Sequence, residues 1–370
     1  MKNLLACLLF ASCLVVTSCA AKSGETLPVT QDHRSATPAP ESANQPVWYW
    51  FSAQGIHSTR TPSDIPFRPF QPWTEAIRVS DSAQVDGNPV LLINRLGILS
   101  GNPQSPALHR EPELFARGTA AALYRLDTGT AVRLYSQSIF SRSQQSSVVL
   151  ARYAPDTGRI TEWISAADFG LSEQAQCVAM DRIGSMWYAA FKEDIGGRVE
   201  FTYLEFERFP TSDTEDGNKN ALPSPSYRRI EAQVYQQAVS PFSWSQMPSV
   251  LRDLLSEIPD TMPLSVRVRS EDRSSAQTYV RDGEGTPLEA SAWITDARIS
   301  ALFADGTLMT REGSSGARTA RVKLPPLSDG YVYTNFVLSG KTLLASWEEQ
   351  RFFETGRAGL LEIHLPDTVY

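Results

Sequence analysis

The side chains that could do chemistry in this sequence are 41 carboxylates, a small number of histidines and four cysteines. The region predicted to fold contains His57, His109 and His364, and no H-E-x-x-H or paired-cysteine spacing supplies a zinc ligand set. The run "SGKT" (Ser339–Thr342) has Asn335 where a phosphate-binding loop needs its first glycine, and no G-x-S-x-G elbow occurs. The sequence therefore predicts no metal site, no cofactor and no assigned catalytic residue.

The N-terminus reads "MKNLLACLLFASCLVVTSC", in which Lys2 precedes an apolar run too short for a permanent membrane span. Its end, Val16–Cys19, resembles the lipobox of bacterial lipoproteins, where small residues precede a lipid-modified cysteine. The resemblance implies a signal peptide at residues 1–18, lipid attachment at Cys19 and anchoring in the membrane of the cell envelope. Ala20 follows the cysteine. The resemblance implies the outer membrane, because in bacterial lipoproteins an aspartate at this position favours the inner membrane.

Residues 19–45 are rich in Ala, Ser, Thr and Pro and contain few large apolar side chains. Such a segment cannot bury enough surface to order itself, so we predict a flexible lipidated tether, with the folded domain spanning residues 46–370. Cys7 and Cys13 leave with the signal peptide and Cys19 carries lipid, which leaves Cys177. The mature chain is therefore predicted to have no intramolecular disulfide and a buried Cys177 thiol.

The folded domain is predicted to consist of β-strands, because apolar runs alternate with Gly, Asn, Asp and Pro turns. Tight turns with a glycine, in most cases after an aspartate, predict hairpins, since glycine accepts a positive φ and aspartate bonds the turn backbone. Four such turns lie at residues 127–129, 156–158, 305–306 and 339–340.

The recurrence of strand, turn and strand predicts an all-β fold, a β-propeller of about six to eight blades. A tandem β-sandwich is the alternative. A propeller must close its ring to protect its edge strands, so we expect "VWYWF" (Val47–Phe51) to pair near "GLLEIHLP" (Gly359–Pro366).

Residues Asp181, Gly184 and Trp187 form the pattern D-x-x-G-x-x-W. This pattern resembles the repeat of sensor-type β-propellers. The resemblance implies structural roles: the aspartate bonds turn amides, the glycine permits the chain reversal, and the tryptophan packs between blades.

Aromatic residues cluster in "VWYWF" and in "PFRPFQPW" (Pro66–Trp73). Trp48 and Trp50 alternate onto one face, which favours packing in the core. The second run is either packed as well or an exposed loop, and in the latter case it is a candidate binding surface. The residues of that surface are Phe67, Arg68, Phe70 and Trp73.

The region from about 209 to 260 interrupts the β pattern and is predicted to be an insertion or an irregular blade. Its first part, Phe209–Ser226, is polar and turn-rich and predicts an exposed loop. Its second part, Ser243–Asp260, predicts an amphipathic helix capped by Ser245 that packs on the protein's own core. The side predicted to be apolar carries Val250, Leu251, Leu254, Leu255 and Ile258.

The formal net charge is −7, and the sequence contains no block of Lys or Arg. Both features argue against nucleic acid as a partner. The sequence favours a non-enzymatic, lipid-anchored envelope protein whose propeller binds a ligand or another protein. A glycan-acting hydrolase or lyase on the same fold is one alternative, because carboxylates from distant loops could converge as a catalytic pair. An outer-membrane assembly scaffold, resembling the propeller lipoproteins with that role, is the other.

Overall fold

The computed structural model describes the following residues: 26–28, 45–52, 55–65, 77–85, 88–94, 96–100, 107–109, 119–126, 129–135, 148–154, 159–209, 227–270, 276–295, 297–312, 319–350 and 357–366. In these residues the chain is mostly β, with strands grouped in five sheets and two short α-helices. Within this part of the chain, no helix has the length and apolar character needed to cross a bilayer.

Strands are numbered in chain order, and sheets I to III are antiparallel. Sheet I has the order β1-β7-β6-β5-β4 and consists of β1 (Thr26–Pro28), β4 (Val79–Val85), β5 (Asn88–Ile93), β6 (Gly97–Ser100) and β7 (Ala107–His109). Sheet II has the order β11-β10-β9-β8 and consists of β8 (Thr119–Leu126), β9 (Gly129–Tyr135), β10 (Val148–Ala154) and β11 (Arg159–Ser165). Sheet III runs in chain order and consists of β12 (Gln176–Ile183), β13 (Met186–Ile195), β14 (Arg198–Phe206) and β15 (Arg228–Ile230).

Sheets IV and V contain the remaining strands. Sheet IV has the order β16-β18-β17-β19-β20-β21-β22, in which β17 and β19 run parallel, as do β16 and β18. Its strands are β16 (Phe242–Ser243), β17 (Leu264–Ser270), β18 (Gln277–Arg281), β19 (Leu288–Ile294), β20 (Arg298–Phe303), β21 (Thr307–Glu312) and β22 (Ala320–Lys323). Sheet V has the order β23-β24-β25-β2-β3 and consists of β2 (Val47–Ser52), β3 (Gly55–Thr59), β23 (Tyr331–Ser339), β24 (Thr342–Glu349) and β25 (Ala358–His364).

All four predicted hairpins are confirmed as antiparallel strand pairs: β8–β9, β10–β11, β20–β21 and β23–β24. The β20–β21 turn shows the predicted chemistry, with Gly306 at a φ of +82° and Asp305 Oδ1 accepting the Thr307 N–H at 2.8 Å. Lys323 Nζ donates to the other carboxylate oxygen at 2.7 Å. Burial alone would raise the pKa of Asp305, but the hydrogen bonds from Lys323 and Thr307 outweigh it and lower that pKa.

The first and last strands of the predicted domain 46–370, which we call its chain ends, meet in sheet V, as the sequence predicts. β2 pairs antiparallel with β25, from Val47 opposite Glu362 to Trp50 opposite Gly359. The Tyr49 hydroxyl adds a side-chain hydrogen bond of 2.6 Å to Glu362 across the same strand pair. Burial, and then this acidic partner, raise the pKa of Tyr49. The first and last strands of the domain therefore lie inside one sheet.

The buried side chains form four clusters. One contains residues of sheets II and III, one of sheets V and I, and one of sheets IV and V, while the fourth lies between sheet IV and the second helix. The clusters therefore join sheet IV to V, V to I, and II to III, while β4 and β5 of sheet I lie beside β8 of sheet II. The edge strands of sheets V, I and II converge, because β4 lies beside both β23 and β8.

The predicted helix at Ser243–Asp260 is a broken element. Helix α1 (Ala232–Val239) precedes it, and α2 covers Ser249–Leu254 between 3₁₀ turns at Trp244–Gln246 and Leu255–Glu257. Met247 is extended, with ψ at 141°, because the residue before a proline avoids the helical region.

Two details of the helix prediction are wrong. Ser243, and not Ser245, caps the first turn through a reciprocal pair with Gln246. Leu251, Leu254 and Leu255 are fully buried as predicted, whereas Val250 is 38% exposed. The α2 segment packs on sheet IV, so the prediction that it serves the protein's own core is confirmed.

The structure adds detail at two predicted boundaries. β1 (Thr26–Pro28) lies inside the stretch predicted as a tether and pairs with β7. The region from 209 to 260 contributes β15 to sheet III and β16 to sheet IV. Residues 210–226, predicted as an exposed loop, lie outside the described residues.

Candidate functional site

The D-x-x-G-x-x-W motif lies at the β12–β13 hairpin. Gly184 occupies the turn with a φ of +62°, where glycine is unstrained. Trp187 in β13 is 2% exposed, and its ring stacks on Phe206 at a centroid distance of 6.3 Å. Asp181 lies within β12, directly opposite Tyr188 of β13. The motif thus coincides with a strand reversal and a buried ring, and its structural role stays a prediction.

Two predicted sites lie outside the described residues. One is the lipid attachment residue, Cys19. The other is the candidate binding surface of Phe67, Arg68, Phe70 and Trp73. Lipid attachment and binding at this surface therefore stay predictions.

The cysteine and histidine side chains of the described chain show no catalytic or metal-binding arrangement. Cys177 is buried, as predicted, and forms no disulfide within the described residues. His57 Nε2 lies 2.7 Å from Ser52 Oγ, and its ring stacks on Trp50. Burial lowers the pKa of His109. Across the described residues, no group of three or more His, Cys, Asp or Glu side chains is close enough to hold a metal ion.

A fully buried carboxylate, Asp81 of β4, lies where sheets I, II and IV meet. Its Oδ1 accepts the Ser82 N–H at 2.9 Å and forms an ion pair with Arg269 of β17. Its Oδ2 accepts the Leu123 N–H of β8 at 2.7 Å. Arg267 Nη2 lies 3.5 Å from Oδ1. Three sheets therefore converge on one carboxylate.

This arrangement fits a structural tie better than a catalytic acid. Asp81 is fully buried, and both of its oxygens accept from backbone amides or a cation, so neither oxygen is open to a substrate. Asp81 is also the sole Asp or Glu among the buried polar residues of the described chain. The hydrolase alternative therefore finds no buried carboxylate pair in this part of the protein.

The edge of β23 beside Asp81 is covered by side chains of the neighbouring sheets. Trp293 Nε1 of sheet IV donates to the Phe336 carbonyl at 2.8 Å, and Ser82 Oγ of sheet I donates to the same oxygen at 3.4 Å. Gln84 Nε2 donates to the Leu338 carbonyl at 3.4 Å. These bonds satisfy carbonyls on an edge strand that would otherwise lack partners.

A cavity of about 130 Å³ opens where the two ends of the chain meet, and we call it the seam pocket. The N-terminal part of the chain lines it with Trp48, Pro62 and Ile65, and the C-terminal part with 326–328, Tyr331, Trp347 and Arg357. Strand pairing across β2, β25 and β24 is what brings Trp48 beside Trp347. The pocket therefore depends on the pairing of the chain ends.

Aromatic rings form one wall of the seam pocket. The Trp347 ring meets the Trp48 ring edge-on at a centroid distance of 6.4 Å and the Tyr331 ring at 5.9 Å. Both tryptophans are nearly fully buried, so their positions are fixed by the core. The Arg357 guanidinium lies over the Tyr331 ring at 5.5 Å, within cation–π range.

Hydrogen-bond donors accompany this apolar wall. The Trp347 Nε1–H is not one of the donors open to the cavity, because this atom is fully buried; it also finds no acceptor in the described part of the chain. Arg357 Nη1 donates to the Ile65 carbonyl at 3.3 Å, and its Nε lies 4.0 Å from Glu349. Burial raises the pKa of Tyr331, with Arg357 opposing the rise and Glu349 adding to it. The pocket suits a small apolar group that carries a hydrogen-bond acceptor.

Sequence patterns singled out Trp48 but not Asp81, Arg269 or the other residues of the seam pocket. One signal was present: Arg267 and Arg269 alternate in "SVRVRS", which places both on one face of a strand. Asp81 similarly interrupts a strand with a charge. No local signal marks Trp347 or Arg357 as pocket residues, because their partner Trp48 is distant in sequence.

Comparisons with known proteins give a family and a relative. A family model described as "Family of unknown function (DUF8086)" matches residues 37–367. A Treponema pallidum (strain Nichols) protein named "Uncharacterized lipoprotein" is 32% identical over 426 residues, covering 94% of this chain and 94% of that protein.

Two solved structures show a low level of similarity. Extracellular domains 1–2 of Drosophila semaphorin 1a give a TM-score of 0.26 at 8% identity, covering 82% of this chain and 88% of that one. The computationally designed Ika8 protein gives 0.20 at 9% identity, covering 78% of this chain and 71% of that one. TM-scores this low carry no argument about the fold.

Proposed function

The chain belongs to the family described as "Family of unknown function (DUF8086)", and from this membership and its lipoprotein relative we propose that it is a lipid-anchored envelope protein that binds a partner through the seam pocket. The relative matches nearly the whole chain, so its printed name supports lipid anchoring here. Cys19 is the proposed attachment residue, with a signal peptide at 1–18 and a tether at 19–45. Ala20 supports placement in the outer membrane.

We further propose that the five sheets form a β-propeller of six blades. Sheets I, II, III and V would each be one blade, and sheet IV would be two, joined where β17 runs parallel to β19. The pairing of β2 with β25 supports ring closure, and the convergence of β4, β8 and β23 supports a common axis. The stretch of residues 209–260 then supplies the outer strand of one blade and an edge strand of another.

The observation that carries the binding function is the seam pocket. Trp48 and Trp347 provide a fixed apolar wall, while the Arg357 guanidinium provides donors. An apolar side chain of an envelope protein, presented beside its own backbone carbonyl or a carboxylate, matches this chemistry in size and in polarity. Arg357 adds a preference for an acidic acceptor.

A photo-crosslinker tests this function in cells that express the full lipidated chain. We expect p-benzoylphenylalanine at Ser328, on the exposed rim of the pocket, to form one discrete adduct with an envelope protein. Arg357→Leu should weaken the adduct, because it removes the cation that faces the acceptor. The adduct is detected by its shifted mass on a denaturing gel and by mass spectrometry.

The matched control places the same crosslinker at Glu173, an exposed residue outside the pocket. No adduct from Ser328, or the same adduct from both positions, would contradict binding at the pocket. Circular dichroism of each variant separates loss of binding from loss of folding.

A further inference from the structure

The β13–β14 hairpin extends beyond the rest of sheet III. Its two strands pair with each other along almost their whole length. β12 pairs with β13 no further than Lys192, and β15 pairs with β14 at Tyr203–Glu205. No other strand of the described chain pairs with the outer side of β14 at Arg198–Thr202, which we call the open edge.

One face of the open edge is apolar. Val199 and Phe201 are each 51% exposed, and they share this face with Tyr203 because alternate residues of a strand point the same way. The rings of Phe201 and Tyr203 stack at 6.3 Å, and Tyr203 packs on Tyr235 of α1 at 4.9 Å. Exposed Val199 and Phe201 therefore continue into Tyr203, which packs on the buried Tyr235.

The opposite face carries two carboxylates that face each other. Glu193 of β13 lies directly across from Glu200 of β14, so two like charges face each other on one side of the hairpin. Such a pair is destabilising in an antiparallel sheet. Arg198 lies on the same face as Glu200, two residues away, but no Lys or Arg of the described chain forms an ion pair with either carboxylate. A cation brought to this face would relieve the repulsion.

We propose that the open edge binds an extended basic segment of another protein as an added β-strand. The unpaired backbone groups of Arg198–Thr202 supply the main-chain hydrogen bonds, as in known cases of strand addition. The partner's apolar residues would lie opposite Val199 and Phe201, and a Lys or Arg between them would lie opposite Glu200. The recognised pattern is therefore apolar, basic, apolar.

A second copy of this chain fits the open edge less well. Antiparallel pairing of two copies that uses all of Arg198–Thr202 places Glu200 opposite Glu200. This adds a third and fourth like charge to a face that already repels. In this register, charge complementarity favours a basic partner over self-association. The site is separate from the seam pocket, so the Ser328 crosslink and binding at the open edge succeed or fail independently.

Hydrogen–deuterium exchange of the full lipidated chain in detergent tests the proposal with synthetic peptides. The probes are acetyl-Thr-Val-Lys-Val-Thr-amide and the same peptide with Glu in place of Lys. We expect the lysine peptide to slow exchange of the amides at residues 198–202. The peptide concentration that gives half of the full protection should be about twofold to fivefold lower for the lysine peptide than for the glutamate peptide. A lysine peptide with N-methylated amides should give no protection, because it cannot form the strand ladder.

Charge reversal provides the decisive variant. Glu200→Lys should reverse the preference between the two peptides, while Glu173→Lys, at an exposed glutamate elsewhere, should leave it unchanged. Lack of protection by the lysine peptide at 198–202 would overturn the proposal, as would an unchanged preference in Glu200→Lys. Sedimentation showing a dimer whose formation already protects 198–202 would assign the edge to a second copy and overturn it too.

Discussion

Asp81 connects three sheets through hydrogen bonds and an ion pair to residues that are distant in sequence. Arg269 of β17, the Leu123 amide of β8 and its own strand β4 all meet at one carboxylate. A buried ion pair of this kind adds little net stability, since desolvation offsets the attraction. Removing one partner of the ion pair is costly, however, because the other partner stays buried without its counter-charge.

We therefore expect Asp81→Ala to lower the free energy of unfolding by about 3–5 kcal/mol, because it leaves the Arg269 guanidinium without its counter-charge. Urea unfolding of the two proteins measures the difference. The double variant Asp81→Leu, Arg269→Met should recover part of the loss, since an apolar pair needs no counter-charge, while the Ser82 and Leu123 amides still lack their acceptor. A single variant within about 1 kcal/mol of wild type would show that the ion pair is not a structural tie.

Cys19 is the second residue whose chemistry can be tested alone. Cys19→Ser removes the thiol on which lipid transfer to a lipobox cysteine depends, so the variant should incorporate no labelled palmitate and should leave the detergent phase. Folding should survive if residues 19–45 act as a tether. Label incorporation by the variant at the wild-type level would refute the anchor. Thermal melting measures whether the domain itself is unchanged.

At the scale of elements, hairpins could be predicted because their chemistry is local. Asp305 and Gly306 specify a turn by bonding and by φ, and the structure reproduces both. The helix at Ser243–Asp260 could be predicted only in part. Pro248 forces Met247 to be extended, which divides the segment and leaves six residues for α2. A helix that short buries one narrow stripe, so Val250 remains at the surface.

The seam pocket could not be predicted from local signals. Trp48 was recognised as a packing residue, which is correct, since it is 4% exposed. Its position beside Trp347 follows from the register of β2, β25 and β24, and single-sequence patterns do not give a register between distant strands. The run "VWYWF" predicted the pairing of the ends, and the pocket is a consequence of that pairing.

At the scale of the whole molecule, function is proposed to depend on the joining of the chain ends. Gly359 of β25 lies where this joint is tightest. A Cβ atom at Gly359 would overlap the backbone carbonyl of Tyr49 in β2 and lie 2.6 Å from Cζ2 of Trp347. Glycine is therefore required there by space, since the β2 backbone and the pocket wall both occupy the volume of a methyl group.

The most direct test is hydrogen–deuterium exchange at residues 47–52 in full-length Gly359→Ala. The added methyl should push β2 away from β25, so these amides should lose protection and stability should fall by about 1–3 kcal/mol. Gly340→Ala is the matched control in the same sheet, because a Cβ there meets nothing within 4 Å and strains one turn with a φ of +52°. Protection of 47–52 lost in Gly359→Ala and kept in Gly340→Ala is the predicted result. Equal protection of these amides in Gly359→Ala and in wild type would contradict the joining of the chain ends and, with it, the seam pocket.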